Sequence, residues 1–122
     1  MIDVHRLKPL YWIGSALKDL RAFPEEVKDG IGYALEIAQR GGKSDKAKPL
    51  KGFAGASVLE IVEDHAMTTW RAVYTVEVAA AIYVLHAFQK KSKKGLATPK
   101  QEIDLIRRRL AAARQHAKGG KS

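Results

Sequence analysis

Apolar residues recur along this chain with two different periods, and the changes between them mark its elements. Leu10-Tyr11-Trp12-Ile13 is a short apolar run closed by Gly14, a first strand that starts as early as Ile2 on its pattern. Ser15 then offers an N-cap for a short helix, Ala16 to Ala22. Pro24 suits the first position of a second helix, with Glu25 and Glu26 placed to complement its dipole. Val27, Ile31, Leu35 and Ala38 repeat at helical spacing and mark the buried stripe, and Gly41-Gly42 ends the helix.

Lys43 to Ala56 reads as a polar, Gly-rich connection. The period then shortens to two. Ser57–Glu63, Thr69–Val76 and Ala79–Phe88 are rich in Val, Ile, Tyr and Trp, as strands are, and Asp64–Thr68 and Glu77-Val78 are short enough to be hairpin turns. Alternation puts Trp70, Ala72, Tyr74 and Val76 on one sheet face and Arg71, Val73 and Thr75 on the other. Thr98-Pro99-Lys100-Gln101 starts a last helix: Thr98 as N-cap, Pro99 first, Gln101 completing a capping box. Its apolar stripe is Ile103, Ile106 and Leu110, with Arg107, Arg108, Arg109 and Arg114 around the rest, and residues 117–122 read as a frayed basic tail. The order predicts one α+β domain over residues 1–122, with helices on one face of an antiparallel sheet.

Composition narrows the chemistry. The chain has no cysteine, which removes disulfides, thiol catalysis and Cys-type zinc sites. The N-terminus has no apolar core of signal-peptide length, and the longest apolar run, Val78 to Leu85, is strand-sized, so the expected location is the cytoplasm. The net charge is +9. Residues 1–85 balance, with 11 Lys/Arg and 11 Asp/Glu, whereas residues 86–122 carry 11 Lys/Arg against Glu102 and Asp104. A localised basic region is the footprint of a polyanion binder, although a solvated basic tail gives the same count. The basic helix lacks Trp or Phe on its apolar side, which argues against a membrane surface.

Two segments resemble a known family. KPLKGF (residues 48–53) precedes the strand that opens Val58-Leu59-Glu60-Ile61, and LHAFQKKSKKGLATPKQEI (residues 85–103) joins a last strand, a lysine cluster and a Pro-initiated helix, with Trp70-Arg71-Ala72-Val73-Tyr74 between. Together they resemble the phage-derived, HigB-like branch of the RelE/ParE toxin superfamily. That resemblance implies a RelE-like (microbial RNase-like) fold with two N-terminal helices on one sheet face and a C-terminal helix. It also implies the toxin of a type II toxin–antitoxin system that cleaves messenger RNA on the ribosome. The partner would be an antitoxin, a helix-turn-helix or other DNA-binding protein. ParE-type members instead inhibit gyrase, and a non-toxic nucleic-acid-binding module is a third possibility.

RNA cleavage of this kind requires a base for the ribose 2′ proton, cations at the phosphate and an acid for the leaving 5′ oxygen. No metal or other cofactor is expected, and no carboxylate cluster or His pair has ligand spacing. Arg71, the only Lys or Arg between Lys51 and Lys90, matches the family's arginine on the third strand at the scissile phosphate. Lys90 and Lys91, expected just past the last strand, match its basic active-site positions; crowding lowers an ammonium pKa and suits it to proton transfer. His86 is a candidate proton-transfer group, although a lone strand histidine is more often a satisfied core residue. Lys48, Lys51, Lys93 and Lys94 are candidates for the RNA backbone. Glu60 and Glu63 stand on strand two, where ribosome-dependent relatives carry lysines. Glu60 is therefore either a proton-transfer group or a structural one.

Overall fold

The computed structural model describes residues 7–53, 57–76, 80–91 and 98–119. Its elements run β1 (Leu10–Trp12), α1 (Ala16–Arg21), α2 (Glu25–Gln39), β2 (Ala47–Pro49), β3 (Val58–His65), β4 (Thr68–Thr75), β5 (Ile82–Lys91) and α3 (Lys100–Gly119). The strands form one sheet in the order β1-β5-β4-β3-β2. The α+β class and a RelE-like arrangement hold.

The sheet is mixed rather than antiparallel, because β1 pairs in parallel with β5 while the other neighbours are antiparallel. α1 and α2 carry the chain from β1 at one edge of the sheet to β2 at the other, a crossover that a tight hairpin cannot make. β2 was not foreseen. Its three residues lie within the polar stretch after α2, and its pairing with β3 is a long-range event without a local pattern.

Both sheet faces are covered, which corrects the expectation of helices on one face. Val27, Ile31, Ala34, Leu35 and Ala38 of α2 and Leu20 of α1 pack on Ile61, Ala72, Tyr74, Ile82 and Val84. Ile106, Leu110 and Ala113 of α3 pack on the reverse, against Val58, Val73, Tyr83, Leu85 and Phe88. The reason is visible in β5, whose residues are apolar at successive positions and so need cover on both sides. The alternation assigned to β4 is as expected.

Several boundaries shift. β3 and β4 extend to a two-residue turn, Ala66-Met67, with φ of +51° and +64°, the paired left-handed geometry whose twist matches a hairpin. β5 reaches Lys91, so Lys90 and Lys91 belong to the strand rather than to the loop beyond it. α3 begins at Lys100 and continues to Gly119, so residues 117–119 are helical rather than frayed. Ser15 makes no side-chain cap; its hydroxyl donates to Asp19 Oδ2 (2.7 Å) and accepts from Arg109 Nη2 (3.0 Å). Gly14, at φ +57°, turns the chain from β1 into α1, and a Cβ there would press on the Arg109 guanidinium.

Two glycines of α2 differ in purpose. Gly32 is exposed, with nothing near where a Cβ would stand, so Gly32→Ala should stabilise the fold by about 1 kcal/mol through helix propensity. Gly30 lies under the carboxylate of Glu63, which Lys46 Nζ grips at 2.9 Å. A Cβ at Gly30 would overlap that carboxylate, and Gly30→Ala should lower the melting temperature where Gly32→Ala raises it. Equal thermal shifts in the two variants would refute this account of the Glu63–Gly30 contact.

Candidate active site

The face of the sheet under α3 carries a row of polar groups at one end. In β3, β4 and β5 the register sets Glu60 opposite Val73 and Val73 opposite His86; the next row holds Val62, Arg71 and Phe88, and the next Asp64, Thr69 and Lys90. Lys48 of β2 pairs with Glu60. Alternation therefore puts Lys48, Glu60, Arg71, His86 and Lys90 on one face, and makes Lys90 a diagonal neighbour of Arg71.

Glu60 is the centre of the group. Its side chain is 3 % exposed, and Arg71 Nη1 donates to its Oε1 at 2.7 Å. Thr98 Oγ1 donates to its Oε2 at 3.2 Å. Arg71 is 14 % exposed, and its buried Nε–H has no hydrogen-bond partner among the described residues. A guanidinium with one nitrogen on a carboxylate keeps further N–H groups that can donate to a second oxygen. Lys90 is buried as well. Burial holds its ammonium pKa below the usual lysine range; Arg71 and Lys48 add to that effect and Glu60 opposes it.

His86 lies in the same face but is enclosed. Its Nε2–H donates to Glu102 Oε1 at 2.9 Å, Arg109 Nη1 stands 3.4 Å from Nδ1, and its ring stacks on Phe88 at 4.8 Å. A carboxylate accepts and a guanidinium donates, so these neighbours fit a ring that carries its proton on Nε2 and accepts at Nδ1. Arg109 also donates to Leu85 O at 3.0 Å and, with Ser15, ties α3 to β5 and α1. Further along α3, His116 Nδ1 meets the Tyr83 hydroxyl at 2.8 Å. Arg107 donates to Gly52 O at 2.6 Å and covers the Phe53 ring at 4.7 Å. These helix arginines, expected around the apolar stripe as part of a polyanion-binding region, in part fasten the helix down.

Lys48 and Lys51 are exposed on and just after β2. Lys91 pairs with Thr68 in the strand, but its side chain lies outside the described residues, as do Lys93 and Lys94 altogether. Thr98, Glu102 and Arg109 were not foreseen as site-bordering residues. Thr98 was visible as a potential cap, but its use depends on where α3 docks. Among the described residues no group of three or more His, Asp or Glu is arranged to hold a metal ion.

A family model described as "Phage derived protein Gp49-like (DUF891)" matches residues 18–111, which span all elements except β1, most of α1's first turn and the end of α3. No curated protein and no solved structure matches the chain.

Proposed function

This chain belongs to the phage-derived Gp49-like family, a family of RelE/HigB-like type II toxins, and on that premise we propose that it is an endoribonuclease toxin of the HigB-like branch that cuts messenger RNA on the ribosome. The observation that carries the proposal is the placement of Arg71 and Lys90 on one sheet face as diagonal neighbours, with Lys90 held toward its neutral amine.

In the proposed reaction the neutral Lys90 amine takes the ribose 2′ proton. The 2′ oxygen forms a bond to its own 3′ phosphorus as the bond to the 5′ oxygen breaks, giving a 2′,3′-cyclic phosphate and a 5′ hydroxyl. Arg71 meets the charge growing on the phosphate through the edge that Glu60 does not occupy. Glu60, buried and accepting from both Arg71 and Thr98, orients the guanidinium rather than acting as the base. His86 is architectural, since both ring nitrogens face partners. Lys91 is the remaining candidate to protonate the leaving 5′ oxygen, and Lys48, Lys51, Lys93 and Lys94 supply backbone contacts, which make binding salt-dependent.

An antitoxin partner follows from the family, and we take it to be a helix-turn-helix DNA-binding protein whose acidic or apolar segment covers the cationic face. The described residues include no helix long and apolar enough to cross a membrane, in keeping with the proposed cytoplasmic site of action. Induction without antitoxin, followed by mapping of mRNA 5′ ends, tests the activity. Cuts phased with the ribosome are expected. Intact messenger RNA with DNA damage would replace the nuclease by a gyrase inhibitor, and harmless expression would leave a non-toxic nucleic-acid-binding module.

A further inference from the structure

Pro99, whose carbonyl accepts from the Glu102 and Ile103 amides, stands at the N-cap of α3, so Thr98 is not the cap expected from the sequence but lies one residue outside it, and its hydroxyl turns to the sheet. There it reaches a carboxylate from a strand nearly forty residues earlier, one that is almost fully buried. A hydroxyl that donates to a buried, charged acceptor constrains that acceptor.

We infer that Thr98 is a positioning residue of the site: its hydroxyl holds Oε2 of Glu60, so that Glu60 engages Arg71 through Oε1 alone and leaves the rest of the guanidinium to a phosphate oxygen. The inference rests on the proposed nuclease reading for its purpose, but not for its geometry. Without the hydroxyl, Oε2 has two other cations to turn to. It can close a two-pronged contact on Arg71, which occupies the edge meant for phosphate, or swing toward Lys90. Among the described residues, charged groups acting on Lys90 are Arg71 from β4, Glu60 from β3 and Lys48 from β2. A freed Glu60 is the one among them that favours the ammonium form, so its movement raises the pH at which Lys90 loses its proton.

The test compares Thr98→Val, which keeps the shape and β-branching, with Thr98→Ser, which keeps the hydroxyl. Two quantities are read in the folded protein: the Lys90 side-chain titration by NMR, and the pH profile of cleavage of a single-stranded RNA. Thr98→Val is expected to lower kcat/KM roughly tenfold, the scale of one hydrogen bond to a charged group, and to move both midpoints to higher pH. Thr98→Ser is expected to restore both. Unchanged midpoints and rate in Thr98→Val, or a serine variant no better than valine, would overturn the inference. If the parent protein does not cut RNA, the nuclease reading fails by itself. The NMR titration then still decides whether Thr98 sets the charge state of this cluster.

Discussion

Arg71→Ala lowers the stability of the domain by about 3 kcal/mol, a large part of the 5–15 kcal/mol that holds a domain of this size together. Glu60 is the cause. Its carboxylate is nearly sealed from water and its shortest contact is the 2.7 Å bond from Arg71. Removing the guanidinium leaves a buried charge with the Thr98 hydroxyl and the nearby Lys90 for compensation, which places the loss at the lower end for a broken buried pair. Neutralising both members, as Glu60→Gln with Arg71→Met, should recover most of that stability while abolishing the phosphate contact. Urea denaturation measures each step, and an Arg71→Ala protein as stable as its parent would show that the pair is not buried as described.

This instability bears on how loss of toxicity is interpreted. A silent Arg71→Ala protein does not separate chemistry from unfolding. Arg71→Lys does, because the ammonium still faces Glu60 but lacks the planar fork. Its stability should stay near that of the parent while cleavage falls about 10²- to 10³-fold, the usual loss for one donor at a developing oxyanion. Full cleavage by Arg71→Lys would remove Arg71 from the proposed phosphate site.

The elements with strong local patterns were legible in the sequence. The α2 stripe of Val27, Ile31, Leu35 and Ala38 and the alternation of β4 follow from residue spacing, and both are as expected. What local pattern does not encode is which distant segments meet. β2 is three residues of polar connection until β3 pairs with it, and α3 crosses to the reverse face because β5 has apolar residues on both sides. The same limit applies to the site. Arg71 was legible as an isolated cation in a strand, and alternation gave its face. That Glu60 would pair with it depends on the β3–β4 register, and that Thr98 would reach Glu60 depends on the docking of α3. Lys90 was identified for its crowding, but its burial comes from the extension of β5 beyond the expected end at Phe88.

Lys90→Met should move activity and stability in opposite directions. In the folded protein burial, Arg71 and Lys48 disfavour the ammonium, with Glu60 opposing them, so the folded pKa lies below the unfolded value of about 10.4. Between those two pKa values the unfolded chain binds more protons than the native one, and stability of the parent rises with pH across that window. Below the folded pKa the penalty of the buried ammonium is fully present. Methionine fills similar space without a charge, so Lys90→Met should be more stable than the parent at pH 7, by about 1 kcal/mol. That advantage should shrink as pH rises through the folded pKa toward 10.4. The parent's cleavage rate should rise over the lower part of the same range and level off before the ordinary lysine pKa, because the reactive form is the neutral amine. The methionine variant, lacking the base, should lose about 10²- to 10⁴-fold in rate and with it this rise. Urea melts at pH 7 and pH 10, set beside the pH–rate profile, separate the two effects. A variant that is less stable at pH 7 would mean that contact with Glu60 outweighs burial, and the amine would then remain protonated where the proposed chemistry requires it free.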